Sequence, residues 1–287
     1  YVYDSLVKAG KVEEYRKVEG QAHAFALVGR IIFWPAAGYF MQLHLNLPYW
    51  LTGISAVVGI ILVFALPKEP FRKRGNVLNT LKPAFGLLVN SPKVFTIILQ
   101  GTTIFILARL CQVCLFQPIL IEKSFSASTF GLIMSFMSVC EAVGASNSGF
   151  LKKWMGEVNS IFLLTISCAV MFFVLAFSNQ YLTIAALGVF SLSMGNCFPI
   201  HRQLLNDSVV NSDYRATLLS MESMFNRAIC AAIIWVLRMY IKDGEISDFL
   251  IRASVFSLIG VLLLMLAMRS ISASTQIRIL VKAKLAE

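Results

Sequence analysis

Residues 206–220 read NDSVVNSDYRATLLS, and residues 3–20 carry nearly the same phrase, YDSLVKAGKVEEYRKVEG. Asp4, Ser5, Leu6 and Val7 match Asp207, Ser208, Val209 and Val210, while Glu14, Tyr15 and Arg16 match Asp213, Tyr214 and Arg215. Each copy opens onto a long apolar stretch. A phrase repeated after about 200 residues marks a chain built from two related halves, and the kind of chain depends on what lies between the copies.

The composition calls for lipid. Hydrophobic residues make up 57% and charged residues only 14%, with mean hydropathy +0.74, whereas a soluble domain is about a quarter charged and less than half apolar. A window of about 19 residues finds eight apolar segments, at 24–41, 48–66, 95–121, 129–150, 160–177, 181–200, 217–241 and 249–268. Each is long enough to cross about 30 Å of hydrocarbon as a helix. The runs are continuous rather than alternating, so a barrel is excluded and helices must satisfy the backbone internally. The fold class is therefore an all-α integral membrane protein, a polytopic helix bundle with eight transmembrane helices.

The basic residues fix an expected orientation. Lys8, Lys11, Arg16 and Lys17 precede the first span; Lys68, Arg72, Lys73, Arg74, Lys82 and Lys93 follow the second. Lys152 and Lys153 follow the fourth, Arg202 and Arg215 the sixth, and Arg269, Arg278, Lys282 and Lys284 the eighth. The opposite side holds only Lys123 and Lys242. This asymmetry puts both chain ends in the cytoplasm of a multi-pass inner (cytoplasmic) membrane protein. The net charge of +10 then serves topology and anionic headgroups, and no nucleic-acid partner is expected.

The six cysteines all fall inside predicted helices, so they form no disulfide framework. Cys111 and Cys114 make a CxxC, read as small buried residues on an apolar helix rather than a redox or metal pair. Between the two copies of the repeat lie six spans, an even number, so both copies face the same side. If the second copy follows the tenth helix of twelve, the first follows the fourth. The chain is then expected to hold the last two helices of one half and all six of the other, as a remainder of a longer protein. The expected divisions are 1–66, the cytoplasmic loop with those two helices; 67–94, a cytoplasmic linker; 95–268, the six-helix half; and 269–287, a cytoplasmic tail.

At this point the chain resembles the major facilitator superfamily of secondary transporters over its whole length. The connection PKEPFRKRGNVLNTLKPAFGLLVNSPK at 67–93 sits where that family links its halves, and DYRATLLS at 213–220 looks like the lead into its eleventh helix. GFLKKWMGE at 149–157 matches its cytoplasmic loop signature at Gly149, Leu151 and Gly156, with Lys153 where the pattern has an acid and Glu157 where it has a base. WPAAG at 34–38 keeps Pro35 and Gly38 of the antiporter signature, with Trp34 in place of a glycine. The resemblance implies alternating access, with helices 5 to 12 of a 6+6 fold present. Arg215, Lys153, Gly149, Gly156, Pro35 and Gly38 become gating candidates.

Charges inside the spans mark the candidate site, because each costs at least about 2.5 to 3.5 kcal/mol at the membrane centre. Arg30, Arg109, Glu141 and Arg227 lie within three residues of a span midpoint. They are expected to face a cavity at the depth where such transporters bind substrate; the alternative is a fixed pair between Glu141 and an arginine. Three arginines against one glutamate favour an anionic or zwitterionic small molecule. Glu141 is the candidate proton carrier. Glu222, about one turn above the cytoplasmic boundary, is expected to be a gate or helix-end acid stabilised by the helix dipole. His23, His44 and His201 are read as interfacial residues, Arg238 and Arg252 as snorkelling ones, and the run GASNSG at 144–149 as a helix-packing surface.

No HExxH, GxSxG or P-loop occurs, so neither an enzyme nor direct ATP drive is expected. The expected function is secondary active transport of a small solute, proton-coupled, with efflux as the suggested direction. A transporter-like sensor or scaffold that binds without net transport is the alternative. Substrate, protons and the lipid bilayer are the expected partners, with no cofactor and no metal, and the full-length protein is expected to be a monomer.

Overall fold

The computed structural model describes residues 15–44, 46–65, 86, 90–208 and 212–284. Among them the chain runs as α1 Tyr15–Leu43, α2 Leu47–Ala65, α3 Pro92–Arg109, a π turn Leu110–Cys114, α4 Phe116–Glu122, α5 Ala127–Met155, α6 Glu157–Phe177, α7 Gln180–Ser208, α8 Ser212–Asp243 and α9 Ile246–Lys284. No strand occurs among the described residues. The first copy of the repeat before Tyr15, Val209 and Val210 of the second, and most of the expected linker 67–94 lie outside the described residues.

Seven helices among the described residues are long and apolar enough to cross a membrane: α2, α3 with its π turn, and α5 to α9. They coincide with seven of the eight segments read from the sequence. The remaining segment, 24–41, lies on α1, whose described apolar stretch is the ten-residue Val28–Ala37. Hydroxyls within these helices turn back onto their own backbone, as Thr52 does on the Pro48 carbonyl at 2.8 Å and Ser55 on Leu51 at 2.9 Å. Such bonds let polar residues sit in a membrane helix without water.

The helix ends follow local chemistry. Pro92 occupies the first turn of α3, where its missing N–H costs nothing. Between α8 and α9, Gly244 has φ +75°. Its N–H bonds the Ile241 carbonyl at 3.3 Å, and the Glu245 N–H bonds that of Tyr240 at 2.8 Å. That is the Schellman arrangement, which needs a left-handed residue and so selects glycine. Arg252, nearly two turns into α9, pairs with Asp248 at 2.8 Å and lies over the Tyr240 ring, so its charge is held near the helix end.

Two compact units are present, and α5 contributes to both. The first comprises the described residues up to Ala65 with Phe125–Val139. In it α1 meets the start of α5 at Gly131, where any side chain would overlap the Trp34 carbonyl and Pro35. Ser135 Oγ donates to the Ile31 carbonyl at 3.0 Å. No residue of α2 is buried, as expected of a helix whose surroundings are lipid.

The second unit, the described residues of 75–124 and 140–287, holds the main core. Phe172 of α6 and Phe190 of α7 are fully buried, with ring centroids 5.8 Å apart. The later part of α5 crosses α7 at two glycines: a Cβ at Gly144 would strike the Leu192 carbonyl, and one at Gly195 the Glu141 carbonyl. Gly144 thus carries the packing role read for the small-residue run. At one end of this unit three turns are stitched together. Lys123 Nζ donates to Ala176 O at 3.3 Å and to Glu122 at 3.4 Å; Ser247 Oγ donates to Glu122 at 2.8 Å and Ala176 O at 3.1 Å; Gln180 Nε2 donates to Lys123 O at 3.0 Å.

Candidate functional site

Arg109 and Arg227 come together in the second unit. With Phe105, Cys230, Ala231 and Ile234 they line a cavity of about 330 Å³ between α3 and α8. The two helices run in parallel register, Gly101 facing Glu222, Thr102 bonding Asn226, and Arg109 reaching the level of Arg227 to Ile234. Arg109 is the last residue of α3, immediately before the π turn Leu110–Cys114. The Leu115 N–H reaches back five residues to the Leu110 carbonyl at 2.8 Å. Pro118 follows in α4, and its ring crowds the carbonyl of residue 114 and cannot bond it; a wider turn just before it accommodates that mismatch. Such bulges recur at functional sites because they re-aim side chains.

Gln112 lies within this turn. Gln112 Nε2 donates to Glu141 Oε2 at 3.4 Å, so an amide is the partner of the midpoint carboxylate. Glu141 makes no ion pair with an arginine among the described residues. Arg30 belongs to the first unit, where it is exposed and its guanidinium lies 5.9 Å from the Trp34 ring centroid. A cation over an indole face is favourably placed. A second, mostly apolar cavity in the second unit, about 370 Å³, is lined by Ile106, Leu110, Ile233 and Phe249 among others, with Tyr240, Arg252 and Ser257 as its polar members.

A buried polar cluster lies along α8 from the arginine cavity. Glu222 and Asn226 are both buried. Thr102 Oγ1 donates to Asn226 Oδ1 at 2.6 Å. His201 of α7 is buried too, with Nε2 3.2 Å from the Ile97 carbonyl oxygen and 3.9 Å from Glu222 Oε1. A carbonyl only accepts, so this Nε2 carries a proton. Gly101 makes the room, since a side chain there would overlap the imidazole and crowd Glu222. Gln100 Nε2 donates to Thr165 at 2.8 Å, and its Oε1 is buried without a partner.

These placements revise two expectations. His201 is not interfacial, because α7 continues to Ser208 and carries it into the packed interior. Glu222 is not held by the helix dipole. The helix begins at Ser212, nearly three turns earlier, and the dipole acts within the first turn.

Of the other gating candidates, Gly149 and Lys153 line a recess of about 310 Å³ with Ser148, Pro199, Ile200 and Gln203. Gly156 has φ +77° and forms the turn from α5 to α6. Pro35 is half-buried in α1. Gly38 and Arg215 fall on α1 and α8, but their surroundings lie outside the described residues.

The model of the Major Facilitator Superfamily matches residues 11–234. The chain belongs to the major facilitator superfamily. No curated protein and no solved structure gives a match. As a major facilitator it is a multi-pass membrane transporter of small solutes across a lipid bilayer, from a family of transporters and not of enzymes.

Sequence reasoning missed Gln112, Asn226, Gln100 and Thr102, and misplaced His201. A signal for Asn226 was present in this facilitator: Glu222, Asn226 and Cys230 recur at a spacing of four, which places them on one helix face.

Proposed function

We propose that this facilitator is a secondary active transporter of a small anionic or zwitterionic solute, working by alternating access and coupled to protons. The observation that carries the reading is the convergence of Arg109 and Arg227 on one cavity between α3 and α8. Two guanidinium groups in a membrane interior are costly unless an anion or water meets them, and their planar forks suit carboxylates and phosphates. Gln112, in the π turn that follows Arg109, and its hydrogen-bond partner Glu141 on α5 supply polar groups for an ammonium.

In this reading two six-helix halves rock about the site, with 67–94 as their linker and 95–268 as the second half. Both chain ends face the cytoplasm at the inner membrane, and the protein acts as a monomer. Glu141 is the carboxylate nearest the midpoint of its span, and Glu222, Arg215, Lys153, Gly149, Gly156, Pro35 and Gly38 serve the gates.

The test reconstitutes the protein in proteoliposomes with a trapped pH dye and an imposed pH gradient, adding anionic and cationic metabolites one at a time. Proton movement triggered by anions and lost in Arg109→Gln and Arg227→Gln is the expected result. Movement triggered only by cations would overturn the substrate class. Anion binding without movement of anion or proton would instead identify a sensor.

A further inference from the structure

We propose that Glu222, paired with His201, is the protonation site of this transporter, and that it takes up its proton together with an anion held by Arg109 and Arg227. The proposal rests on the anion-transport reading above and moves the proton from Glu141 to another carboxylate.

The side chains of His201 and Glu222 are only 10% and 8% exposed, 3.9 Å apart, inside spans of a membrane protein. A buried charge must be paired or neutralised. The pair is neutral in two ways, as carboxylic acid beside neutral imidazole or as carboxylate beside imidazolium, and both hold one exchangeable proton. Losing that proton leaves a bare carboxylate, which only a nearby positive charge can tolerate.

That charge is available and variable. On α8, Arg227 lies five residues beyond Glu222 and Cys230 lies eight beyond, about 8 and 12 Å along the axis. An empty arginine cavity presents uncompensated positive charge and favours the carboxylate; an anion in the cavity cancels it and favours the acid. Binding of anion and proton is then mutually reinforcing, with the same coupling in both directions. Asn226, buried between the two sites and bonded to Thr102 of α3, lets both helices feel a change in Glu222.

The other charged groups around the pair are few. From α7, Arg202 follows His201, is exposed, and its charge acts on both members. From α3 come Gly101, Thr102 and the Ile97 carbonyl, with Lys93 two turns earlier and exposed. From α6 comes the neutral Thr165. On α9, Arg269 is exposed and makes no ion pair with Glu222 among the described residues. Fixed Arg202 sets a constant field, so the variable input is the arginine cavity.

The test adds sulfate, succinate or glutamate at matched pH to the purified protein in weakly buffered detergent solution containing a pH dye. The expected result is net proton uptake on adding sulfate or succinate, lost in Glu222→Gln. Uptake that survives in Glu222→Gln, or disappears only in Glu141→Gln, overturns the proposal. A second measurement needs no anion: the infrared carbonyl stretch of a protonated carboxyl, followed through a pH titration. That band should vanish in Glu222→Gln and shift its midpoint by a pH unit or more in His201→Gln, which also serves if Glu222→Gln does not fold. A band unchanged in the folded variants overturns the pair. If no anion moves protons while the infrared band behaves as expected, the pair stands as a protonation site, and the anion reading and its coupling are what have failed.

Discussion

Ser135 donates its hydroxyl to the carbonyl of Ile31, 3.0 Å away, and Ile31 is the residue whose helical partner would be the N–H that Pro35 lacks. The proline therefore exposes an acceptor inside the membrane, and the neighbouring helix supplies the donor. Gly131, one turn before Ser135, lets α5 come close enough to do so.

Ser135→Ala should lower stability by about 0.5 to 2 kcal/mol, the range for a hydrogen bond inside a membrane protein. Pro35→Ala restores the N–H, so in that background the serine should matter less. Thermal unfolding in detergent of the two single variants and the double variant measures the coupling. Independent, additive effects would show that the proline and the serine are unrelated.

Glycine-to-alanine changes should separate by position. At Gly195 and Gly144 a methyl group would meet backbone carbonyls of α5 and α7, and separating the helices should cost about 1 to 3 kcal/mol. Gly149 and Gly260 face open space, and their alanine variants should be close to neutral. The same unfolding assay checks all four, and equal losses would contradict the crossing described here.

Arg109→Gln and Arg227→Gln should each weaken solute binding by about 10- to 100-fold, corresponding to a lost charge-assisted contact of about 1.5 to 3 kcal/mol. Protein recovered from the membrane should be little changed, because both side chains are exposed to the cavity rather than buried in the core. Arg30→Gln, whose guanidinium rests over Trp34, should have a smaller effect. Solute uptake into proteoliposomes, normalised to folded protein, distinguishes the three.

The basic asymmetry makes a topological prediction. In a background with the native cysteines replaced, single cysteines at Asn179 and Lys153 should react with a membrane-impermeant thiol reagent from opposite sides of the membrane, Lys153 from the cytoplasm. Reaction of both from one side would overturn the orientation.

Most of the helices were legible in the sequence because a bilayer imposes one strong rule, an apolar run of about 20 residues. The same rule explains the misplacement of His201. A hydropathy window ends near Ile200, at the first polar cluster, while hydrogen bonding continues the helix to Ser208. The π turn at Leu110–Cys114 was not legible, because its cause is a proline four residues past its end combined with packing that no periodicity records. Arg109 and Arg227 were found as isolated costly charges. That they share a cavity required the parallel register of α3 and α8, which depends on contacts distant in sequence. The partner of Glu141 was missed because charge suggests charge, whereas the π turn delivers an amide.

The bonds joining Glu122 and Lys123 to Ala176, Gln180 and Ser247 have a mechanical consequence. Three hairpin tips pinned to one another at one end act as a clamped edge. Helices held there can still splay at their opposite ends, as tines do from a handle. Bending of the second unit should therefore grow with distance from Lys123, reaching its largest amplitude near Gly156, where α5 turns into α6.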